Sequence, residues 1–471
     1  MKADGLPESL QVLSKIFSGN GHQLYLVGGF VRNIALGIDG SDVDVCSDAR
    51  PEKALEFLRR AGLKVVEKAL ELGTIEVHLD FNGKKHVFEH TTFRRDFYPR
   101  GGNHRPERVA FTTDICEDAK RRDFTVNALY INIGTGEIID PTNKGLQDIK
   151  TKTIRAAAEN PEETIRDDGL RIMRMARFAA ELGFSVSPDL LACAKKHAPL
   201  LNDISAERKR DELKKILVAD TKYEVLTKDE CAHRQGLFLL RQTGALPYIL
   251  PRLSEGKGIA QSEVYHRYDV LGHGIHTCAA ALPLIELRLA ALLHDIGKPM
   301  ALRQGNHMHG HELFGETLAK EELESLKFDN KTKRIVLPLV RNHMFDLEGR
   351  AKPKTIRRCA IRLGRDVFKL LIALRYADFM GSGYDTGSVI SADNWQKELN
   401  RMVTLKVPWS IKEIAITGNE IMDILKIEPS PIVGNIMSTL FYECVVHPEF
   451  NNPQTLKKRA LAIGKSLNLL M

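Results

Sequence analysis

The sequence predicts an α+β protein in which a mixed α/β head is followed by helices along the rest of the chain. Within the first 150 residues, short segments rich in β-branched and aromatic residues alternate with helical segments. From Ile154 onward, apolar residues recur with the helical period. The 471 residues are enough for two to four domains.

The head is defined by a series of short elements that ends in a turn cluster at Asp140–Gly145. We therefore predict a head domain over residues 1–150. Its predicted strands are Gln23–Val27, Asp42–Val45, Thr74–Phe81, His86–Thr91 and Ala128–Ile133. Its predicted helices are Phe30–Leu36 and Pro51–Ala61.

The helical remainder divides at two segments rich in helix breakers. Pro251–Gly258 is predicted to be a loop, and Gly381–Gly383 is predicted to be a linker. These breaks define a helical neck and body over residues 151–255, a histidine-rich domain over 264–381, and a helical tail over 395–471.

Composition excludes several classes of protein. Hydrophobic residues make up 43% and charged residues 27%, as is typical of a globular protein. The N-terminus lacks the apolar core of a signal peptide, and the most apolar stretch, Ala279–Leu293, is too short to span a bilayer. The seven cysteines are scattered without a CxxC pair, which favours a cytoplasmic protein without a disulfide framework.

A glycine turn followed by two acidic residues is the most informative motif. Gly28 and Gly29 end a predicted strand and begin a helix, where backbone N–H groups can bind phosphate. Asp42 and Asp44 lie two residues apart on the next strand, so their side chains point to the same face. Such a carboxylate pair can hold divalent ions against a nucleoside triphosphate. Taken alone, a tight turn and a solvated strand end explain both motifs.

Two further motifs combine arginines with carboxylates. Arg122, Asp123 and Asn127 can bind phosphate and ribose hydroxyls, although a salt-bridged loop is the simpler explanation. Asp168 and Arg171 are three residues apart, so we expect them to share one helix face. A carboxylate beside a guanidinium presents an acceptor next to a donor. This pattern fits cytosine and adenine and rejects uracil and guanine.

With these motifs in order, the first 220 residues or so resemble the class II tRNA nucleotidyltransferases, the CCA-adding enzymes, and their bacterial poly(A) polymerase relatives. The resemblance implies a polymerase-β-like nucleotidyltransferase head followed by an all-α neck and body, an HD domain and a helical tail. It also implies tRNA as partner, CTP and ATP as substrates, and Mg²⁺ as the cofactor of the head.

The resemblance assigns roles to individual positions. Asp42 and Asp44 match the metal-binding carboxylates, and Glu89 stands where a third catalytic carboxylate is expected. The positions that match the nucleotide-binding motifs are Gly28, Gly29, Arg32, Arg122, Asp123, Asn127, Asp168, Arg171, Arg174 and Arg177. The segment Arg94–Pro106 resembles the mobile loop that the family associates with the switch from C to A addition.

A second constellation lies in the histidine-rich domain. His294 and Asp295 are adjacent, and His273, His311, His343 and Asp378 surround them in the sequence. Imidazole and carboxylate ligands together suit a hard or borderline divalent ion. The block resembles the HD phosphohydrolase superfamily, which implies a metal site of His273, His294, Asp295 and Asp378. His311 and His343 are then substrate contacts or ligands of a second metal, and the metal itself is left open.

Clusters of basic residues favour an RNA partner. One cluster, Arg208, Lys209, Arg210, Lys214 and Lys215, follows the helix at Arg171, and others lie near residues 352–365 and 457–459. Alternative functions are a poly(A) polymerase, a nucleotidyltransferase–HD signalling enzyme that modifies a protein, and a non-catalytic RNA-binding module. The HD block and the full loop argue against the first, and the Asp168/Arg171 motif argues against the second.

Overall fold

The computed structural model describes residues 6–38, 43–98, 106–227, 231–264, 266–305, 307–383 and 389–469. The chain forms two compact units that divide between Pro251 and Arg252. The first unit combines a sheet with helices, and the described part of the second is helical. The predicted α+β class is therefore confirmed.

The described part of the first unit contains the five predicted strands, with bounds that differ by up to two residues, and six strands that the sequence analysis did not predict. In chain order they are β1 (Leu24–Val27), β2 (Asp44–Ser47), β3 (Lys64–Ala69), β4 (Thr74–Phe81), β5 (Lys84–Thr92), β6 (Arg94–Phe97), β7 (Arg108–Phe111), β8 (Tyr130–Asn132), β9 (Ile138–Ile139), β10 (Thr153–Ile154) and β11 (Ser185–Val186). The main sheet has the order β3-β4-β5-β2-β1-β8-β9, while β6 pairs with β7 and β10 with β11.

The helices of the first unit surround this sheet and continue beyond it. They are α1 (Glu8–Gly19), α2 (Gly29–Leu36), α3 (Pro51–Arg60), α4 (Ile115–Lys120), α5 (Gly145–Lys150), α6 (Pro161–Asp167), α7 (Arg171–Leu182), α8 (Pro188–Lys196), α9 (Ala206–Leu217), α10 (Glu224–Thr227) and α11 (Ala232–Gln242). Short α12 (Pro251–Ser254) begins at the last residue of the first unit and continues into the second.

The second unit continues with helices only, within its described residues. They are α13 (Val270–Ala280), α14 (Ile285–Leu293), α15 (Lys298–Arg303), α16 (His311–Ser325), α17 (Asn330–Asn342), α18 (Pro353–Leu363), α19 (Arg365–Gly381), α20 (Ile390–Thr404), α21 (Gly418–Leu425), α22 (Pro431–Val446) and α23 (Pro453–Ser466).

The register of the central strands determines which groups meet at the glycine turn. Strand β1 runs antiparallel to β2, with Val27 opposite Asp44. Strand β5 runs parallel to β2, with Glu89 in register with Asp44. Beneath the turn, Val27, Cys46 and Tyr130 belong to one buried apolar cluster. This cluster anchors the ends of the central strands from which the turn and the carboxylates extend.

Three predictions about individual elements were incomplete or wrong. Strand β3, Lys64–Ala69, was missed because its charged and apolar residues do not alternate along this edge strand. Pro251–Gly258 is not simply a loop, because its first four residues form α12. Gly381 is not in a linker, because it lies in α19 and a Cβ there would be 2.5 Å from the Thr277 backbone of α13.

Two global expectations can be compared with the structure. All seven cysteines carry free thiols, as the scattered spacing predicted. Within the described ranges, we find no helix with the length and apolar character needed to cross a bilayer.

Candidate functional site

The first unit contains a cavity of about 590 Å³ beside the glycine turn. This volume lies within the range of small-molecule sites. Eleven residues predicted for the nucleotide and metal sites line it: Gly28, Gly29, Arg32, Asp44, Arg122, Asp123, Asn127, Asp168, Arg171, Arg174 and Arg177. Basic side chains outnumber acidic ones in the lining, so the cavity favours an anionic ligand.

The glycine turn requires glycine at its first position. Gly28 has φ 77° and ψ −138°, a conformation that costs other residues strain. It precedes α2, whose first N–H groups carry the positive end of the helix dipole. A Cβ at Gly28 would lie 3.9 Å from Asp44 Oδ2, so the turn and this carboxylate are neighbours. The arrangement can place a phosphate near both N–H donors and a carboxylate-bound cation.

The acidic residues of the sheet are only partly described. Asp44 and Glu89 are both exposed and occupy registered positions on adjacent strands. Carboxylate oxygens at such positions are suitable donors for Mg²⁺. Asp44 lines the cavity, whereas Glu89 lies outside its lining. Asp42 falls outside the described residues.

Arg32 is a buried cation beneath the turn. Its Nη1 donates to Asn127 Oδ1 at 2.7 Å, and its Nη2 donates to the Tyr223 hydroxyl at 2.8 Å. Burial lowers the pKa of Arg32, but a guanidinium keeps its charge in proteins. Tyr223 was not predicted as a site residue, and its distance from the motifs in sequence gave no signal.

Asp123 connects the motif of Arg122, Asp123 and Asn127 to α7. Its Oδ2 accepts hydrogen bonds from Arg174 at 2.5 and 2.9 Å, and its Oδ1 accepts one from Asn127 at 3.0 Å. Burial opposes ionisation of Asp123, but Arg174 and Asn127 outweigh it and lower its pKa to about 2. The side chain is therefore an ionised acceptor at neutral pH.

Asp118 forms ion pairs with Arg121 and Arg122, although the sequence analysis did not select it as a site residue. It accepts hydrogen bonds from Arg122 at 2.9 Å and from the Tyr130 hydroxyl at 2.7 Å. It also pairs with Arg121 at 2.7 Å. Despite complete burial, these arginines hold the pKa of Asp118 below its usual range. Asp118 thus fixes two guanidinium groups at the cavity wall.

The prediction that Asp168 and Arg171 share a helix face was wrong. Asp168 has extended backbone angles between α6 and α7, and the helix begins at Arg171. The Arg171 guanidinium donates to the backbone oxygens of Thr164 at 3.0 Å and Arg121 at 2.7 Å. The carboxylate of Asp168 is instead paired with Arg208 at 2.8 Å. Both predicted residues still line the same cavity.

Arg177 lies deeper on α7 and is held by two carboxylates. It contacts Glu212 of α9 at 2.6 Å and Glu181 at 3.0 Å, and its guanidinium lies over the ring of Phe178. The ion pair with Glu212 joins α7 to α9.

The predicted loop Arg94–Pro106 is described only at its base, because residues 99–105 fall outside the described residues. Its first part forms β6.

The second unit contains a buried centre of four histidines and two aspartates. His273, His294 and Asp378 form one group of potential metal ligands, and Asp295, His311 and His343 form another. The donor atoms of each group lie within 4.8 Å of one another. Both sets of nitrogen and oxygen donors fit a divalent metal ion.

Asp295 connects the two groups through its two oxygen atoms. Its Oδ2 lies 3.2 Å from His294 Nε2 and 3.6 Å from His273 Nε2. Its Oδ1 lies 3.1 Å from His311 Nε2 and 3.6 Å from His343 Nε2. A carboxylate in this position can bridge two cations.

The histidine rings are oriented by backbone carbonyls. The Nδ1 atoms lie within hydrogen-bonding distance of these oxygens: His273 with Gly381 at 3.2 Å, His294 with Ala291 at 2.8 Å, His311 with Met308 at 2.7 Å, and His343 with Val340 at 2.7 Å. An Nδ1–H that donates to a carbonyl leaves the Nε2 lone pair for a metal.

Charged neighbours hold the two aspartates. Lys298 contacts Asp295 Oδ2 at 2.6 Å, and Arg375 contacts Asp378 Oδ2 at 2.8 Å. Burial opposes a charge on His294, but Asp295 and Asp378 outweigh it and raise its pKa to about 10.

A cavity of about 800 Å³ adjoins this centre. Its lining combines the ligand side chains with apolar residues, among them Met308, Met344 and Phe379. His266 also lines it, and burial lowers the pKa of this imidazole to about 4. The centre can therefore receive a substrate that has an apolar part beside a group attracted to metal ions.

Comparison with known families assigns both regions. Residues 24–155 match the poly A polymerase head domain, and residues 271–378 match the HD domain. Residues 183–228 match a family described as the probable RNA and SrmB-binding site of polymerase A.

Known proteins resemble the chain along most of its length. A CCA-adding enzyme from Levilactobacillus brevis is 29% identical over 448 residues, which cover 94% of this chain and 96% of that protein. A CCA-adding enzyme from Streptococcus mutans is 42% identical over 213 residues, 45% of this chain and 50% of that protein.

Solved structures show the same fold. The CCA-adding enzyme of Bacillus stearothermophilus in complex with CTP aligns with a TM-score of 0.67 and 24% identity, over 98% of both chains. The Thermotoga maritima CCA-adding enzyme in complex with tRNA aligns with a TM-score of 0.61 and 18% identity, over 97% of this chain and 96% of that one. The chain therefore resembles CCA-adding enzymes along its length, as its motifs predicted, and joins a poly A polymerase head domain to an HD domain.

Proposed function

We propose that the chain is a template-independent tRNA nucleotidyltransferase that adds or repairs the 3′-terminal CCA of tRNA from CTP and ATP. The observation that carries this proposal is the single cavity in which the glycine turn, Asp44, the arginines and Asp168 meet. The named relatives and the structures with bound CTP and tRNA support the same activity. We also propose a cytoplasmic location, which suits the seven free thiols.

In this proposal, each part of the cavity has a separate task. The N–H groups after Gly28 and the buried charge of Arg32 bind the triphosphate. Asp123 and Asn127 accept and donate hydrogen bonds at the ribose. The carboxylate of Asp168 accepts a hydrogen bond from the amino group of cytosine or adenine. Arg174 and Arg177 supply positive charge on the same side of the cavity.

The carboxylates Asp42, Asp44 and Glu89 would hold Mg²⁺, which lowers the pKa of the attacking 3′-hydroxyl and stabilises charge on the leaving pyrophosphate. The 3′-hydroxyl oxygen of the tRNA forms a bond to the α-phosphorus as the bond to pyrophosphate breaks. The arginine-rich wall attracts the departing anion and keeps the triphosphate aligned.

The products of a simple reaction test this function. The chain is incubated with tRNA that lacks its terminal CCA, with CTP and ATP separately and together, and the 3′ ends are sequenced. We expect growth to stop after CCA when both nucleotides are present. A poly(A) polymerase would add A alone and continue, and such a product would refute the proposal. A control tRNA that already ends in CCA should not grow.

We propose phosphoester hydrolysis as a second activity, located in the HD domain. The observation that favours it is the convergence of four histidines on Asp295 beside a cavity. The residues fit a divalent ion, which would activate water for attack on phosphorus. Lys298 and Arg375 hold the two aspartates and contribute positive charge near a phosphate. The second unit would then hydrolyse phosphoesters, such as a 2′,3′-cyclic phosphate.

The HD activity is tested with substrates that the head cannot use. Bis(p-nitrophenyl) phosphate and a 2′,3′-cyclic nucleotide are offered with Mn²⁺, Mg²⁺ or Ni²⁺, and with EDTA as the metal-free control. We expect hydrolysis with at least one metal and none with EDTA. If no metal supports hydrolysis of either probe by the folded protein, the HD domain has a structural role only.

A further inference from the structure

We propose that Arg208 is a positioning residue for nucleotide selection, because its guanidinium holds the carboxylate of Asp168 in place within the head cavity. This inference rests on the proposed nucleotidyltransferase function and adds a determinant of base specificity to it. The sequence suggested a different role for Arg208, as one of a cluster of basic residues along an RNA backbone.

The contact is a two-point ion pair. Arg208 Nη2 donates to Asp168 Oδ2 at 2.8 Å, and Nη1 donates to Oδ1 at 3.4 Å. The backbone N–H of Leu170 donates to the same Oδ1 at 3.0 Å. Three donors therefore fix both the place and the rotation of the carboxylate. An ionised carboxylate has about four acceptor positions, so one remains for an incoming base.

Arg171 does not provide this restraint. Its two terminal nitrogens donate to the backbone oxygens of Thr164 and Arg121. These bonds hold the Arg171 guanidinium in place by contacts that do not include the Asp168 carboxylate. The guanidinium that contacts Asp168 is that of Arg208. A prediction based on spacing alone selected the nearer arginine in sequence rather than the nearer one in space.

The elements that carry Arg208 are held firmly. Arg208 lies in the first turn of α9, where Ser205 caps the helix by accepting from the Arg208 N–H. The buried pair of Arg177 and Glu212, at 2.6 Å, joins α9 to α7. The guanidinium therefore extends from a helix whose position is fixed relative to the helix that follows Asp168.

Orientation of this carboxylate matters because selection depends on hydrogen-bond direction. Cytosine and adenine present an amino donor on their pairing edge, which an ionised carboxylate accepts. Uracil and guanine present a carbonyl at the corresponding position, which a carboxylate repels. A carboxylate that is free to rotate can turn its oxygens away from that carbonyl, so discrimination falls. Loss of Arg208 should thus reduce selectivity more than it reduces the rate of the chemical step.

The experiment measures kcat/KM for each of the four nucleotides on tRNA that lacks CCA, with the full chain. We expect Arg208→Gln to lower the ratio of CTP to UTP by about tenfold or more, since a two-point contact contributes discrimination of that size. Arg208→Lys, which keeps the charge but not the planar fork, should restore the ratio in part. Arg59→Gln, an exposed arginine on α3 outside the cavity, is the matched control and should leave the ratio unchanged.

A double-mutant cycle separates positioning from general structural damage. If Arg208 acts through Asp168, Arg208→Gln should cause little further loss of selectivity in an Asp168→Asn background. Wild-type selectivity in a folded Arg208→Gln chain would overturn the inference, as would fully additive losses in the cycle. Failure of the unaltered chain to add C and A at all would instead refute the proposed function. The ratio of kcat/KM for CTP to that for UTP is also measured for Arg208→Lys, so the inference remains testable if the Gln variant does not fold.

Discussion

The two candidate sites are built from opposite hydrogen-bonding groups. In the lining of the head cavity, guanidinium and ammonium groups, which only donate, outnumber the carboxylates. The histidine centre presents carboxylate oxygens and Nε2 atoms, which accept once each Nδ1 donates to a backbone carbonyl. Donors that converge attract an anion, and acceptors that converge attract a cation. The difference indicates a triphosphate as the ligand of the head and metal ions as the ligands of the histidine centre.

The two sites also differ in the contacts that hold their side chains in position. In the head, cations are held apart by ion pairs with buried carboxylates, such as Asp118 and Asp123. In the histidine centre, each ring is held by a main-chain oxygen, while Lys298 and Arg375 hold the aspartates. Ion pairs between side chains set the first geometry, and hydrogen bonds to main-chain oxygens set the second.

The largest expected effect is a crossed loss of the two activities. Asp44→Ala should reduce nucleotide addition by at least about 10³-fold, because metal ions stabilise such transition states by several kcal/mol. It should leave phosphoester hydrolysis intact. Asp295→Asn should abolish hydrolysis and preserve nucleotide addition, because both groups of potential ligands depend on Asp295. Both activities are assayed on the same preparations.

Matched controls use carboxylates that lie outside both sites. Asp80→Ala, on the exposed face of β4, should keep both activities, as should Glu324→Gln on α16. If Asp44→Ala remained active in nucleotide addition while folded, the assignment of the head would be wrong. If Asp295→Asn removed both activities, the two regions would not be functionally separate.

Metal content distinguishes the two roles left open for His311 and His343. If they bind a second ion, the unaltered chain should hold two ions in the second unit and His311→Ala should hold one. The group of His273, His294 and Asp378 remains complete in this variant. Metal per chain is measured by mass spectrometry after Mn²⁺ loading, with Asp44→Ala as background to remove the head site. His276→Ala, whose ring stacks on Tyr268, is the control.

The alternative outcome is equally specific. One ion in the unaltered second unit, and one in His311→Ala, would show that His311 and His343 contact substrate instead. In that case the variant should raise KM for the hydrolysed probe without changing metal content.

The sequence allowed prediction of the motifs better than of their contacts. Gly28, Asp44 and Asp123 were assigned to one site by the family resemblance of their motifs, and all three line the head cavity. Tyr223 could not be assigned, since nothing near it in sequence indicates that it holds Arg32, and Asp118 was overlooked although it lies only four residues before Arg122. Which carboxylate pairs with which arginine is decided by tertiary packing.

Spacing was also misleading where the backbone departs from a helix. The three-residue interval between Asp168 and Arg171 predicts a shared helix face, but Asp168 is extended and precedes the helix. In the histidine domain, by contrast, the sequence identified every residue that the structure groups around Asp295. Its His-Asp pair is adjacent in sequence, and histidines are rare enough to be conspicuous in a helical segment.

The contributions of two buried carboxylates to folding stability should change with pH in opposite directions. One carboxylate is paired with an arginine in the first unit, and the other is bound by backbone N–H groups in the second. The pKa of Asp123 is lowered by Arg174, so its contribution to stability is present above its unfolded pKa and is lost as pH falls towards 2. Glu322, 2% exposed, accepts hydrogen bonds from the backbone N–H groups of Arg252 and Leu253, and burial raises its pKa to about 7. The carboxyl of Glu322 binds its proton more tightly in the folded chain than in the unfolded chain. The free energy of unfolding therefore falls as pH rises from about 4.5 to 7.

Glu322→Gln should remove that dependence. At pH 5 the variant and the unaltered chain should unfold at similar temperatures, because the carboxyl is largely protonated. At pH 8 the variant should be more stable by up to about 3 kcal/mol, since it avoids an ionised buried group. Thermal unfolding at both pH values is the measurement, and Glu324→Gln on the exposed face of the same helix is the control. An equal difference at both pH values would contradict the assignment.

The smallest effect expected concerns the backbone of the glycine turn, where the head binds through N–H groups rather than guanidinium groups. Gly28→Ala places a Cβ on a residue with φ 77° and ψ −138°, which should cost about 1–3 kcal/mol or move the turn. We expect a lower unfolding temperature together with a severalfold higher KM for CTP. Hydrolysis in the second unit should not change.

Gly37→Ala provides the comparison for this last variant. Gly37 ends the same helix in a left-handed conformation and has open space around it, so alanine should cost about 1–2 kcal/mol. Gly37→Ala should leave the KM for CTP unchanged, because Gly37 lies at the opposite end of α2 from the cavity. If both variants raised KM equally, lost stability rather than the geometry of the phosphate turn would explain the effect. A raised KM in Gly28→Ala alone would show that the turn itself binds the nucleotide.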